Sequence, residues 1–137
     1  MHVSETHIRV RYAETDKMGY VYYGNYPAYY EVGRTESLRK LGTTYRKLEE
    51  SGVMMPVVDM KVQYFRAARY DDLIKVKTIV DELPDRHMRF LYEIYNDEGV
   101  LLNKAETTLV FVSSENMRRI RCPKWMRELI SEAINNK

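Results

Sequence analysis

One long helix has to serve four long strands in this chain, and that imbalance narrows the folds open to it. The helical pattern runs from Tyr26 to Leu41, with Tyr26, Tyr30, Gly33, Ser37 and Leu41 at three- and four-residue spacing. Asn25 is placed to cap its start, Pro27 falls in the first turn where a missing N–H does no harm, and Gly42 supplies a stop. Gly33 stands mid-helix, where glycine costs about 1 kcal/mol relative to alanine. Close approach to another backbone would compensate, as when a sheet wraps the helix. A short helix, "TTYRKLEES", follows and ends at Gly52. The period then changes to two. Val58, Met60, Val62 and Tyr64 form one alternating set, and Ile74, Val76, Thr78 and Val80 a second. Met88, Phe90, Tyr92 and Ile94 form a third, and Leu101, Ala105, Thr107, Leu109 and Phe111 a fourth. These read as strands with one buried face. "LPDR" and "NDEG" make the last three antiparallel neighbours. A first strand over residues 4–12 precedes them. A terminal helix, "PKWMRELISEAI", starts at Pro123 with Trp125, Leu129 and Ile130 on its apolar side. The economical arrangement is an α+β fold, an antiparallel sheet curled round one central helix. Its long edges invite pairing, so a dimer with a continuous sheet is expected.

The 137 residues suit a single domain over 1–137 with one core. A net charge of +2 is too small for a protein whose main task is gripping nucleic acid. The lone Cys122 cannot form an internal disulfide, which fits a reducing compartment. "MHVSETHIRVRY" has neither an apolar core nor a small-residue cleavage site, and no run approaches the roughly 20 apolar residues of a membrane span. The expected address is the cytoplasm.

Chemistry is concentrated between the first strand and the helix, in "YAETDKMGYVYYGNYPAYYEVGRTE". Asp16 lies there without charged neighbours on its aromatic side. A turn aspartate is the plain reading, but two glycines, several tyrosines and a helix start within ten residues of one carboxylate suggest more. Helix N-termini carry unpaired N–H groups and a positive dipole end that hold a negative oxygen. A carboxylate beside such a site is a minimal apparatus for acyl transfer. Tyr20, Tyr22 and Tyr23 are placed to line an acyl pocket, whereas Tyr26 and Tyr30 read as core residues with satisfied hydroxyls. His2, His7 and His87 are scattered without metal-ligand spacing, so no metal or other cofactor is expected. Ser113 and Ser114 have no nucleophile-elbow motif. Cys122 reads as a small packed residue. "RAAR" at 66–69 and "NMRRIR" at 116–121 are either solvated basic faces or phosphate contacts.

The stretch "VRYAETDKMGYVYYGNYPAYYEVGRTESLRKLG" resembles the hot-dog-fold acyl-CoA thioesterases, in the branch of 4-hydroxybenzoyl-CoA thioesterase and the Tol-Pal-operon acyl-CoA thioesterase. The residues that carry the likeness are Tyr12, Asp16, Gly19, Val21, Asn25, Tyr26, Arg34 and Glu36. "VDMKVQYFRAARYDDLIKVKTIV" is similar to the family's Tyr-x-x-Pro-Ala and Gly-Asp segment, with Ala67 in place of the proline and Asp71 in place of the glycine. The resemblance implies that Asp16 is the catalytic carboxylate, as nucleophile or general base. It implies that the backbone N–H of Tyr23 polarises the thioester carbonyl. One subgroup carries histidine at that position and another tyrosine, and Tyr23 leaves the backbone role available here. Tyr12, Gly19, Tyr20, Val21, Tyr22, Asn25 and Tyr26 would then surround the substrate. Active sites at dimer interfaces, and often a tetramer of two dimers, are also implied.

The expected partner is acyl-CoA. An acyl-ACP would replace the nucleotide with a protein surface, and a non-catalytic acyl-CoA-binding or scaffold module would have no need of Asp16. A dehydratase fits less well, because no histidine pairs with a carboxylate at the helix start. Arg66, Arg69, Arg118, Arg119 and Arg121, with Ser113 and Ser114, are the candidates to hold the CoA phosphates, within one chain or across a dimer interface.

Overall fold

Gly33 is where helix and sheet come closest. A Cβ at this position would lie 2.6 Å from Thr78 Oγ1 and 2.8 Å from Val76 Cγ1. A close approach to the sheet is therefore present, but it is made to the side chains of Val76 and Thr78 rather than to another backbone. Gly33→Ala gains about 1 kcal/mol of helix propensity but forces a methyl into occupied space, at a cost of about 1–3 kcal/mol. We expect a lower melting temperature for Gly33→Ala and a much lower one for Gly33→Val. An unchanged melting temperature in both would show that Thr78 and Val76 simply turn aside.

The computed structural model describes residues 1–135. The elements are β1 (His2–Arg9), α1 (Tyr26–Leu41), α2 (Tyr45–Glu50), β2 (Val53–Met54), β3 (Val57–Tyr64), β4 (Leu73–Val80), β5 (His87–Tyr95), β6 (Leu101–Ser113), β7 (Arg119–Ile120) and α3 (Lys124–Asn135). Single 3₁₀ turns occupy Tyr12–Glu14 and Tyr23–Asn25. The sheet runs β1-β4-β5-β6, and every pairing is antiparallel. The long strand β6 pairs with β3 from Asn103 to Leu109, then with β2 at Val112 and Ser113. Beyond the end of β5 it also pairs with β7. α1 packs on β1, β4 and β5. Tyr30, Phe90, Tyr92, Leu38, Ile74 and Phe111 are among the largest side chains buried between these layers.

β4 and β5 bury the faces their alternation indicates. Several other expectations need correction. The first strand ends at Arg9 rather than at residue 12, because the chain turns into the 3₁₀ segment at Tyr12. β6 holds an extra residue where Ile94 opposes Asn103 and Tyr95 opposes Leu101. That bulge buries Leu102 and leaves Leu101 half-buried. In α3 the buried pair is Met126 and Ile130, while Trp125 is 39% exposed. β2 and β7, two residues each, are too short to show a period.

The largest correction concerns β3. Val58, Met60 and Tyr64 are 42–48% exposed, not buried. β3 lies on the far side of β6 from the strands that α1 covers. Val62 still packs against the core and Tyr64 against Tyr26, but Val57, Val58 and Met60 are left exposed among the described residues.

Candidate active site

The chain leaves β1 through two hydrogen bonds to the approach to β4, Val10 N–H to Asp72 O at 2.9 Å and Asp71 N–H to Val10 O at 3.0 Å. Glu14 then pins the turn. Its Oε1 accepts the Arg11 N–H at 2.9 Å and the Tyr29 hydroxyl at 2.9 Å. Partial burial works against the charged form, but the hydrogen bonds from the Arg11 backbone, Tyr29 and the Arg11 side chain outweigh it and hold the carboxyl below its ordinary range. The Glu14 carbonyl accepts the Tyr22 N–H at 2.9 Å and the Asn25 side-chain amide at 2.8 Å. Glu14 thus fastens the turn after β1 to the start of α1. Sequence reasoning missed it, although the Arg11-x-x-Glu14 spacing is that of a capping box with the wrong first residue.

Asp16 begins a tight hairpin in which Thr15 pairs with Val21. Its N–H donates to Tyr20 O at 2.8 Å and its carbonyl accepts the Gly19 N–H at 3.0 Å. Gly19 sits at φ +81°, a conformation that favours glycine. Asp16 Oδ1 accepts the Met18 N–H at 2.9 Å. The turn-aspartate reading therefore holds for one oxygen. Oδ2 makes no hydrogen bond among the described residues and is left for other chemistry.

Further contacts stitch this hairpin to the segment after β3. Val21 N–H donates to Ala68 O at 2.8 Å, and Tyr26 Oη accepts the Ala68 N–H at 3.2 Å. The Arg69 guanidinium lies 4.7 Å above the centre of the Tyr20 ring. Between hairpin and segment lies a cleft of about 320 Å³. It brings together Asp16, Tyr20, Val21, Tyr23, Tyr26 and Arg66 of the expected site. Met18, Tyr64, Phe65 and Ala67 also line it and were not anticipated. Tyr64 and Phe65 escaped because their strand read as a core strand.

The start of α1 differs in detail from the expectation. Asn25 occupies the cap position, but its side chain makes no capping bond and reaches Glu14 O instead. The Tyr23–Asn25 turn takes over: Asn25 N–H donates to Tyr22 O and Tyr26 N–H to Tyr23 O. The N–H groups of Tyr23 and Gly24 have no backbone partner among the described residues. Tyr23 is the residue whose N–H was expected to be available here; Gly24 was not anticipated and does not line the cleft.

Other expected site residues lie outside the cleft. Tyr12 is 78% exposed and packs edge-on against Tyr70. Tyr22 rests against the Tyr23 ring, Gly19 serves the turn, and Asn25 serves Glu14. Arg69 is engaged by Tyr20. Ser113 ends β6 and Arg119 begins β7, with Ser114 and Arg118 in the loop between them, which is held by Met117 N–H to Ser113 O and Ser113 N–H to Arg118 O. That loop is about 30 Å further along β6 than Asn103, the partner of Tyr64, at ~3.3 Å per residue. One chain does not bring its two arginine clusters together.

Tyr26 and Tyr30 are buried with satisfied hydroxyls, as read: Tyr30 donates to Asn103 Oδ1 at 2.6 Å. Cys122 is packed, and burial pushes its thiol up to about 12.

A profile of the thioesterase-like superfamily matches residues 10–130. The chain belongs to that superfamily. A relative from Bacillus subtilis, named putative acyl-CoA thioesterase YneP, is 40% identical over 124 residues, 90% of each chain. Acyl-CoA thioester hydrolase YbgC of Escherichia coli O6:H1 is 36% identical over 117 residues, 85% of this chain and 87% of that one. The solved structure of DHNA-CoA thioesterase from Staphylococcus aureus is 38% identical and superposes with a TM-score of 0.91 over 99% of this chain and 95% of that one. The curved antiparallel sheet around α1 is thus the hot-dog fold of this thioesterase superfamily.

Proposed function

We propose that this protein hydrolyses acyl-CoA thioesters to the free acid and CoA at the Asp16 cleft. The observation that carries the reading is the juxtaposition in one cleft of a carboxylate with a free oxygen and a helix start with unpaired N–H groups. The names of the relatives from Bacillus subtilis and Escherichia coli support the same substrate class. The thioester carbonyl oxygen would accept the Tyr23 N–H, which polarises the carbon and holds the negative charge of the tetrahedral intermediate. Asp16 acts through Oδ2. As nucleophile it forms a mixed anhydride, expels the CoA thiolate and is regenerated by water. As general base it takes a proton from the water that attacks. Either path consumes one water and returns the acid and the CoA thiol. The aromatic rings of the cleft take the acyl group.

The active unit in this reading is a homodimer or a tetramer of dimers. β3 presents an unpaired outer edge and an uncovered apolar face beside the cleft, which is the condition a second copy relieves. Among the described residues no helix is long and apolar enough to cross a membrane. A single reduced cysteine suits a cytoplasmic site of action.

A hydrolysis screen over short, long and aromatic acyl-CoAs, with detection of the released thiol, tests the activity. The buried, protonated Cys122 adds no signal of its own. Release from at least one class is expected. No release from any of them by the folded protein would sink the reading.

The basic loop gives a second test. Across a dimer, Arg118 and Arg119 of one copy would reach the CoA phosphates bound at the other. Arg118→Ala with Arg119→Ala should then raise KM several-fold with turnover nearly intact. The effect should shrink with salt, since exposed charges are screened within ~10 Å at 0.1 M ionic strength. An unchanged KM at low salt would remove these arginines from the site. A rise confined to acyl-ACP would make the carrier protein the substrate handle.

A further inference from the structure

Asn103 stands one layer behind the cleft and carries a polar group that the fold leaves unused. Its side chain is fully buried. Oδ1 accepts the Tyr30 hydroxyl at 2.6 Å, and Nδ2 has no protein partner among the described residues. Burial holds the Tyr30 phenol far above its ordinary range, so that hydroxyl keeps its proton and remains the donor. The amide is thereby oriented with its oxygen toward Tyr30 and its N–H groups elsewhere. Native structures seldom bury a donor without a partner, because the loss of its hydration is not recovered.

The position of Asn103 suggests the missing acceptor. Tyr26 and Tyr30 are four residues apart and share one face of α1. Tyr64 and Asn103 are directly opposed on β3 and β6, where Cβ atoms lie about 5 Å apart. The outer member of each pair, Tyr26 and Tyr64, walls the cleft, with ring centres 5.5 Å apart. The inner members, Tyr30 and Asn103, are hydrogen-bonded directly behind that wall. Tyr26 is fixed by burial and by Ala68, whereas Tyr64 is 47% exposed. Asn103 does not line the cleft itself, so an acyl group extending inward from Asp16 would have to pass Tyr26 and Tyr64 to reach it.

We propose that Asn103 is a specificity-determining residue of the acyl site, donating from Nδ2 to an oxygen acceptor at the far end of a flat, aromatic acyl group, with Tyr30 holding the amide in position. The inference rests on the acyl-CoA reading above. The surrounding rings of Tyr20, Tyr23, Tyr26, Tyr64 and Phe65 favour an aromatic body, through offset and edge-to-face contacts. A buried donor selects against an acyl group that leaves it unpaired.

The test compares 4-methoxybenzoyl-CoA with 4-ethylbenzoyl-CoA, which share a shape and differ by one ether oxygen in place of a methylene. The wild-type protein should prefer the methoxy substrate by about tenfold in kcat/KM, the scale of one neutral hydrogen bond. Asn103→Leu should bring the ratio to about one. That variant strands the Tyr30 hydroxyl, so the double variant Tyr30→Phe with Asn103→Leu is made alongside it. Removing both partners together leaves no orphan in the core. A wild-type ratio near one, or a tenfold ratio retained in the folded double variant, overturns the role of Asn103. Hydrolysis of hexanoyl-CoA but of neither aryl substrate also overturns it and leaves thioester hydrolysis standing. Hydrolysis of none of the three overturns both.

Discussion

Asp16→Asn and Asp16→Ala each lose at least ~100-fold in turnover, the scale of removing a nucleophile or general base, and both proteins remain folded. The asparagine variant is the cleaner of the two. Its side-chain oxygen can still accept the Met18 N–H that Asp16 Oδ1 accepts at 2.9 Å, so the hairpin keeps its shape. Alanine gives up that bond and about 1 kcal/mol with it. The loss should fall on kcat with KM little changed, because the rings that hold the acyl group are untouched. Thermal unfolding run beside the kinetics separates lost chemistry from lost fold. Near-wild-type turnover by a folded Asp16→Asn protein would remove Asp16 from the mechanism.

Met60→Glu with Val58→Asp should disrupt the proposed dimer and abolish most of the activity. Both residues are more than 40% exposed on the edge strand, so one chain tolerates the charges. In a two-fold pairing of β3 with its copy the same charges face each other, and like charges brought together across an interface cost several kcal/mol. The activity goes with the interface because Tyr64 and Phe65, at the end of the same strand, line the cleft. Light scattering at micromolar concentration reads the assembly, and thiol release reads the function. A wild-type protein that is monomeric and fully active, or a monomeric variant with undiminished turnover, contradicts the dimeric site.

The two predictions differ in how they were reached. The position of Asp16 was legible in the sequence because its surroundings were local: the hairpin, the glycine at φ +81° and the helix start all fall within ten residues of it. The positions of Tyr23, Tyr26 and Gly33 were legible for the same reason, each set by a turn or a helical period. β3 was not. Its alternation correctly marks a strand with one apolar face, but a single sequence does not say whether the same chain covers that face or a second one does. The buried partner of α1 proved to be β1, β4 and β5. Leu101 and Trp125 were misplaced by a bulge and by a helix phase, both settled by packing. Glu14 went unseen because its role is to join two turns, through Tyr29 and Asn25. The two arginine clusters looked convergent because both follow strands, yet they follow opposite ends of the paired β3 and β6.

The central claim is that the thioester is cleaved in the Asp16 cleft, with its carbonyl on the helix start. The most direct measurement is a crystal structure of the Asp16→Asn protein holding an uncleaved acyl-CoA found in the hydrolysis screen. The predicted result is a carbonyl oxygen within about 2.7–3.1 Å of the Tyr23 nitrogen, the thioester carbon beside the side chain of residue 16, and the acyl group among Tyr26, Tyr64 and Phe65. A thioester bound elsewhere, or in the cleft with its carbonyl turned away from the Tyr23 N–H, would contradict it.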